Sequence, residues 1–178
     1  MSDSEPSPTT RLLAKHFPGV AKHLDAEALE ALAWELHLIH ARNNDEVARQ
    51  GSTHPALLFL LDGTFALRLG DEATADQLGY LPPHSIVGEV SFFDGGPATV
   101  SVLVCSARAS ALTLDLEGFE RLGKAHPRAA AGLCRAVSET LAARLRVSDL
   151  RYDELVGSPS LRSLRALMKT LLGTGKAS

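Results

Sequence analysis

Ile86-Val87-Gly88-Glu89-Val90-Ser91-Phe92-Phe93-Asp94-Gly95-Gly96-Pro97-Ala98-Thr99-Val100-Ser101-Val102 runs from a strand into a glycine, an acid and a short apolar turn. It leaves through Gly-Gly-Pro into another strand. Each step has a physical reading. Glycine lets a backbone approach a ligand closely, and the exposed amides that open a short helical turn attract anions. Glu89, beside those amides, can accept hydrogen bonds from sugar hydroxyls. The same residues also read as a strand end, a solvent-exposed acid and a loop, so the surrounding sequence has to decide.

Toward the N-terminus the pattern is that of a small β-structure. Ala56–Leu61 and Thr64–Leu69 are apolar runs separated by Asp62-Gly63, the turn chemistry of a two-residue hairpin. Further strands are expected at Leu36–Ile39, Glu46–Arg49, Gln77–Leu81, Ser85–Val87, Thr99–Cys105 and Ser110–Leu114. Asn43-Asn44-Asp45, Leu81-Pro82-Pro83 and Ser106-Ala107-Arg108 divide them. Short strands at this spacing predict a jelly-roll type of β-roll. Helices flank it. Arg11–Phe17 and Asp25–Trp34 precede the strands, with Asp25 as N-cap. After Leu116–Ala125 and the His126-Pro127 break, Arg128 to Leu155 reads as one helix of roughly 42 Å. Its apolar stripe is Leu133, Val137, Leu141 and Leu145. A last amphipathic helix is expected over Ser160–Leu172. The fold class is therefore α+β, a β-roll between N-terminal helices and a long C-terminal helix. It divides into a disordered leader (1–10), a globular domain (11–155) and a basic amphipathic C-terminal helix and tail (156–178).

Composition supports one globular domain. The chain has 178 residues, 45% of them hydrophobic and 22% charged, with a formal net charge of −3. No stretch approaches the roughly 20 apolar residues that span a bilayer. The polar opening Met1–Thr10 lacks the features of a secretory signal, so a cytoplasmic location and no membrane partner are expected. Cys105 and Cys134 sit in apolar settings and read as buried free thiols. The charge is uneven: Ser158–Ser178 carries Arg162, Arg165, Lys169 and Lys176 and no acid. The rest of the chain then holds −7, which is −3 less the tail's +4.

Gly88-Glu89-Val90-Ser91, with Pro97 eight residues after the acid, resembles the phosphate-binding cassette of cyclic nucleotide-binding domains. The turn glycine Gly63, the Gly79 to Gly88 approach, Phe119-Glu120-Arg121-Leu122 and the His126-Pro127 break extend that resemblance over Phe17 to Asp153. It implies that Glu89 binds a ribose 2′-hydroxyl and that the amides around Gly88, Val90 and Ser91 face the ligand. It also implies an arginine after the proline, paired with the cyclic phosphate. This chain has Ala98 there, then Thr99, which offers an amide and a hydroxyl but no charge; Ser101 falls near a position that contacts the base. Losing a charge-assisted hydrogen bond costs about 1.5–3 kcal/mol, roughly 10- to 150-fold in affinity. Weak or absent cAMP binding is therefore expected. Arg68 and Arg108 are the candidates for a replacement charge.

Other classes fit less well. Seven histidines include no His-x-His pair of the cupin kind, so no metal and no cofactor is expected beyond a possible cyclic nucleotide. No nucleophile elbow or carboxylate pair suggests an enzyme, and Gly173-Thr174-Gly175-Lys176 lacks the spacing of a phosphate loop. Residues 156–178 are too few for a helix-turn-helix, so DNA binding is not expected. The resemblance implies a regulatory module that signals to a partner protein through its C-terminal helices, with homodimerisation through Leu133, Val137, Leu141 and Leu145. The alternative is a degenerate, ligand-free domain that serves as a protein-interaction platform.

Overall fold

The computed structural model describes residues 5–70 and 76–156. Ser7 caps the first helix, α1 (Pro8–His16), by accepting from Thr10 N–H, and Pro8 supplies a pre-set φ at its first turn. The helix consequently starts earlier than its apolar periodicity suggests. A short α2 (Pro18–Ala21) and α3 (Ala26–Glu35) follow, the latter capped by Asp25 through Ala28 N–H as expected. The strands are β1 (His37–Arg42), β2 (Glu46–Ala48), β3 (Ala56–Asp62), β4 (Phe65–Leu69), β5 (Asp76–Leu81) and β6 (Ile86–Val87). A helical turn, α4 (Glu89–Asp94), separates these from β7 (Ser101–Val104) and β8 (Arg108–Asp115). Two helices complete the order, α5 (Leu116–Ala125) and α6 (Pro127–Val156).

The strands form two antiparallel four-stranded sheets, β1-β8-β3-β6 and β2-β7-β4-β5. Four successive pairs, β1/β2, β3/β4, β5/β6 and β7/β8, each place one strand in either sheet, which is the jelly-roll wrap. Asp62-Gly63 is therefore not a hairpin turn. It is a corner that carries the chain from one sheet to the other. β3 finds its ladder with β8, and β4 with β7 and β5. The expected β3–β4 pairing does not form, because Asp-Gly encodes a reversal without specifying which strand satisfies the backbone. Gly63 has φ +94, and a Cβ there would meet Ala109 Cβ at 2.6 Å and Ser106 Oγ at 2.7 Å. The neighbouring corners lock onto it: Thr64 N–H donates to Ser106 Oγ, and Cys105 N–H to the Thr64 carbonyl.

Between the sheets lies an apolar core of Leu58, Leu60, Phe65, Val87, Val102, Val104, Ala109 and Ala111. Alternation sends Leu57, Phe59, Leu112 and Leu114 to the other side, where they are also fully buried. Pro127 ends α5 by its missing donor and opens α6. Ala129, Leu133, Ala136 and Val137 of α6 are buried, and Gly132 allows a close approach, since a Cβ would lie 2.4 Å from Leu24 Cδ2.

The chain falls into two compact units, Met1–Val137 and Ser138–Ser178. That division splits the expected stripe. Leu133 and Val137 are fully buried in the first unit's own core and are not open to a partner, whereas Leu145 is 63% exposed. The two cysteines also depart from expectation: Cys105 is exposed at a corner and Cys134 is half-buried. The expected helix over Ser160–Leu172 and the basic residues Arg162, Arg165, Lys169 and Lys176 lie outside the described residues.

Candidate functional site

Glycine decides the geometry of the cassette turn. Gly88, at the end of β6, has φ +91 and precedes the first turn of α4, and Gly95 closes that helix with φ +72. A Cβ on Gly88 would sit 2.3 Å from the Ala56 carbonyl oxygen, so the left-handed turn and the contact with β3 both exclude a side chain. Within the turn, Phe92 N–H and the Ser91 hydroxyl both donate to the Gly88 carbonyl, at 3.1 and 3.3 Å.

Burial then sorts the side chains of α4. Glu89 is only 6% exposed, and a carboxylate is seldom buried so far without a partner. Ser91 and Phe92 are buried with it, whereas Val90 and Phe93 face outward. Phe92 and Phe93 meet Phe119 of α5 edge to face, at centroid distances of 5.5 and 5.8 Å. These contacts attach the cassette turn to α5, the first helix after the roll.

Past the turn, the chain returns alongside residues 51 and 52. Ala98 N–H donates to the Ser52 carbonyl at 2.9 Å, and the Ala98 carbonyl accepts from Gly51 N–H at 2.8 Å. Ala98 is half-buried and Thr99 exposed. Thr99 and Val100, expected as strand, lie before the start of β7 because this pairing with the 51–52 turn replaces the ladder.

Ser101 is 8% exposed and belongs to a polar cluster that sequence reasoning missed. Its hydroxyl donates to Glu46 Oε1 at 2.7 Å and accepts from Gln50 N–H at 2.9 Å. Glu46 also pairs with Arg49 Nε at 2.6 Å, and Gln50 Oε1 accepts from Gly70 N–H. Burial pushes the Glu46 carboxyl up, but the Ser101 bond, the Arg49 pair and the charge of Arg68 together hold it below its ordinary value. The Glu46-Val47-Ala48-Arg49 spacing was the available signal, an acid and a base close together on a short strand.

Of the seven sequence-derived positions, Gly88, Glu89, Val90 and Ser91 form one continuous turn. Ala98 and Thr99 lie on the return path, and the Ser101 hydroxyl is committed to Glu46 and Gln50. The two arginines considered as replacement cations separate clearly. Arg108 is exposed at a sheet corner opposite Arg42, whereas Arg68 stands across from Ser101 in the β4–β7 ladder.

Among the described residues no three metal-ligating side chains cluster, and no helix is long and apolar enough to cross a membrane. A comparison with curated protein sequences gives no match. Solved structures are similar in fold. A cyclic nucleotide-binding domain from Methylobacillus flagellatus matches with TM-score 0.70 and 19% identity, over 80% of this chain and 83% of that one. The catabolite activator protein of Thermus thermophilus matches at 0.62 and 24%, over 77% of this chain and 62% of that one. The third is the regulatory subunit of a cAMP-independent protein kinase A from Trypanosoma brucei. It was solved bound to cAMP with three substitutions, one of them threonine to arginine, and matches at 0.60 and 14%, over 90% of this chain and 52% of that one. The family model for the cyclic nucleotide-binding domain covers residues 38–126, from β1 to the α5–α6 break. With the jelly-roll wrap, the Gly88 turn and the buried Glu89 in place, this chain belongs to the cyclic nucleotide-binding domain family.

Proposed function

We propose that this protein is a non-enzymatic, cytoplasmic regulatory module that senses a nucleotide through the Gly88–Ser91 turn with weakened phosphate recognition. The observation that carries this reading is the buried Glu89 directly after the left-handed Gly88. An acid in that place suits a sugar hydroxyl. Ala98, where the family resemblance implies a cation, leaves a phosphate without its charge-assisted bond. In this reading, residues 11–155 sense, and the signal leaves through the helices to a partner protein. Phe92, Phe93 and Phe119 join the turn to α5, and occupancy shifts the helices only through a difference in affinity between their two positions. The basic segment 156–178 is the proposed docking element. Homodimerisation, where it occurs, uses Leu141 and Leu145 rather than the buried half of the stripe.

A thermal-shift panel of cAMP, cGMP and cyclic dinucleotides tests the reading. A ligand at about 100 times its Kd stabilises the native state by about 2.7 kcal/mol, which is a rise of several degrees for a domain of this size. We expect such a rise only at millimolar nucleotide. A rise at low micromolar cAMP would overturn the weakened recognition. The second reading, a ligand-free interaction platform, is favoured by one observation: both backbone groups of Ala98 and the hydroxyl of Ser101 already have partners within the protein. No response across the panel at any concentration selects that reading.

A further inference from the structure

A groove of about 480 Å³ opens between α1, the ends of β1 and β3, and the turn joining β5 to β6. Leu12, His16, His40, Asp62, Pro83 and His84 line it. There His16 Nδ1 and His84 Nε2 are 2.7 Å apart, although 68 residues separate them in the chain. Their rings lie 4.4 Å apart, and Phe17 approaches His84 edge-on at 6.3 Å.

His84 is also held in an unusual backbone state. Its φ is +67, a conformation that a side chain disfavours and that persists only where the surroundings enforce it. Its N–H donates to the Leu60 carbonyl at 2.6 Å, and Leu60 N–H donates to the Ser85 carbonyl at 2.9 Å. Ser85, the two-residue β6 and Gly88 follow directly. A strained turn, tied to α1 by one histidine pair, thus leads into the cassette.

The chemistry of the pair sets a proton limit. Two imidazole nitrogens at this distance need one donor and one acceptor. The neutral pair supplies that, and so does the pair with one extra proton, because the proton enters at a nitrogen facing away. A second extra proton places N–H on both facing nitrogens, and attraction becomes repulsion. Lys15 on α1 opposes protonation of His16, and His40 of β1 and Asp62 at the end of β3 face the same groove. Burial first, then His84 and then Lys15 hold His16 below the ordinary histidine value. We infer that the His16–His84 contact is a proton-operated latch, closed at neutral pH, that releases the β5–β6 turn and loosens the entry to Gly88 once both rings are charged. The latch works with or without a nucleotide, so it stands or falls separately from the proposed ligand.

Side-chain nitrogen NMR of the full-length chain, with backbone amide exchange between pH 7.5 and 5, tests the latch. At pH 7.5 His16 Nδ1 and His84 Nε2 should show the signature of one shared hydrogen bond, and that signature should be lost toward pH 5. After correction for intrinsic rates, exchange at the His84 and Leu60 amides should rise about tenfold or more as pH falls across this range. His84→Asn keeps a residue that tolerates positive φ but does not titrate, and His16→Gln removes the partner. Each should abolish the rise while leaving exchange in β8 unchanged. A hydrogen-bond signature unchanged down to pH 5, or a rise that survives in both variants, would overturn the latch.

Discussion

Ser101 Oγ donates to Glu46 Oε1 at 2.7 Å across a sequence separation of 55, tying the strand that leaves the cassette to the one at its sheet edge. A hydrogen bond to a charged group contributes about 1.5–3 kcal/mol, and this hydroxyl serves Gln50 N–H as well. Ser101→Ala should therefore lower unfolding free energy by about that amount at neutral pH, measured by urea titration. The pH dependence has a sign. Glu46 is held below its ordinary value of 4.5, so its contribution is complete above that pH and is lost as pH falls through the lower folded-state value. Without Ser101, burial acts against fewer compensating bonds, and the acid-side fall in stability should become shallower.

Gly88→Ala should be among the most damaging single-methyl changes in the chain. It forces a side chain into φ +91 and to within 2.3 Å of the Ala56 carbonyl oxygen. We expect a loss of about 2–4 kcal/mol from strain and displacement together. Gly19, in α2, has nothing within 4 Å of its would-be Cβ. Gly19→Ala should be neutral or stabilising by up to about 1 kcal/mol. Denaturation curves for the two variants would expose the difference, and equal effects would contradict the close contact at Gly88.

The stripe on α6 should divide under mutation as it does under burial. Leu133→Ala, at a fully buried site, should cost about 2–5 kcal/mol. Leu145→Lys should change stability by no more than about 0.5 kcal/mol. Light scattering on the second variant then bears on association. A native dimer built on Leu141 and Leu145 should shift toward the 18.9 kDa monomer.

Ala98→Arg should create phosphate recognition rather than merely perturb it. The added guanidinium should tighten cAMP binding by roughly 10- to 150-fold in calorimetry. Glu89→Ala in the same background should remove most of that gain. An arginine variant no better than the parent would favour the ligand-free platform.

Much of this was legible in residue order because local chemistry and tertiary structure agree there. Gly88 and Gly95 mark the ends of α4, Asp25 caps α3, and Pro127 separates α5 from α6. Reading failed where the outcome depended on a distant partner. Asp62-Gly63 looked like a hairpin because turn residues encode a reversal and not the strand that completes the ladder. Cys105 looked buried from its valine and leucine neighbours, but it lies just past β7, at a corner, where alternation no longer applies. The Ser101–Glu46 and His16–His84 contacts join residues far apart in sequence, and neither side chain carries any local mark of its partner.

The wrap of the two sheets also governs how the chain can be assembled in time. The ladder partner of β1 is β8, and that of β2 is β7, so the first two strands must wait while the intervening chain finds its place. On a ribosome, one sheet waits for β7 and the other for β8, the last two strands to emerge. Such non-local pairing places folding toward the slow, millisecond-to-second end of the range for small domains. Until then the edges of β3 and β4 stand open, and during synthesis the roll is more exposed to mispairing with a second nascent copy than its finished form suggests.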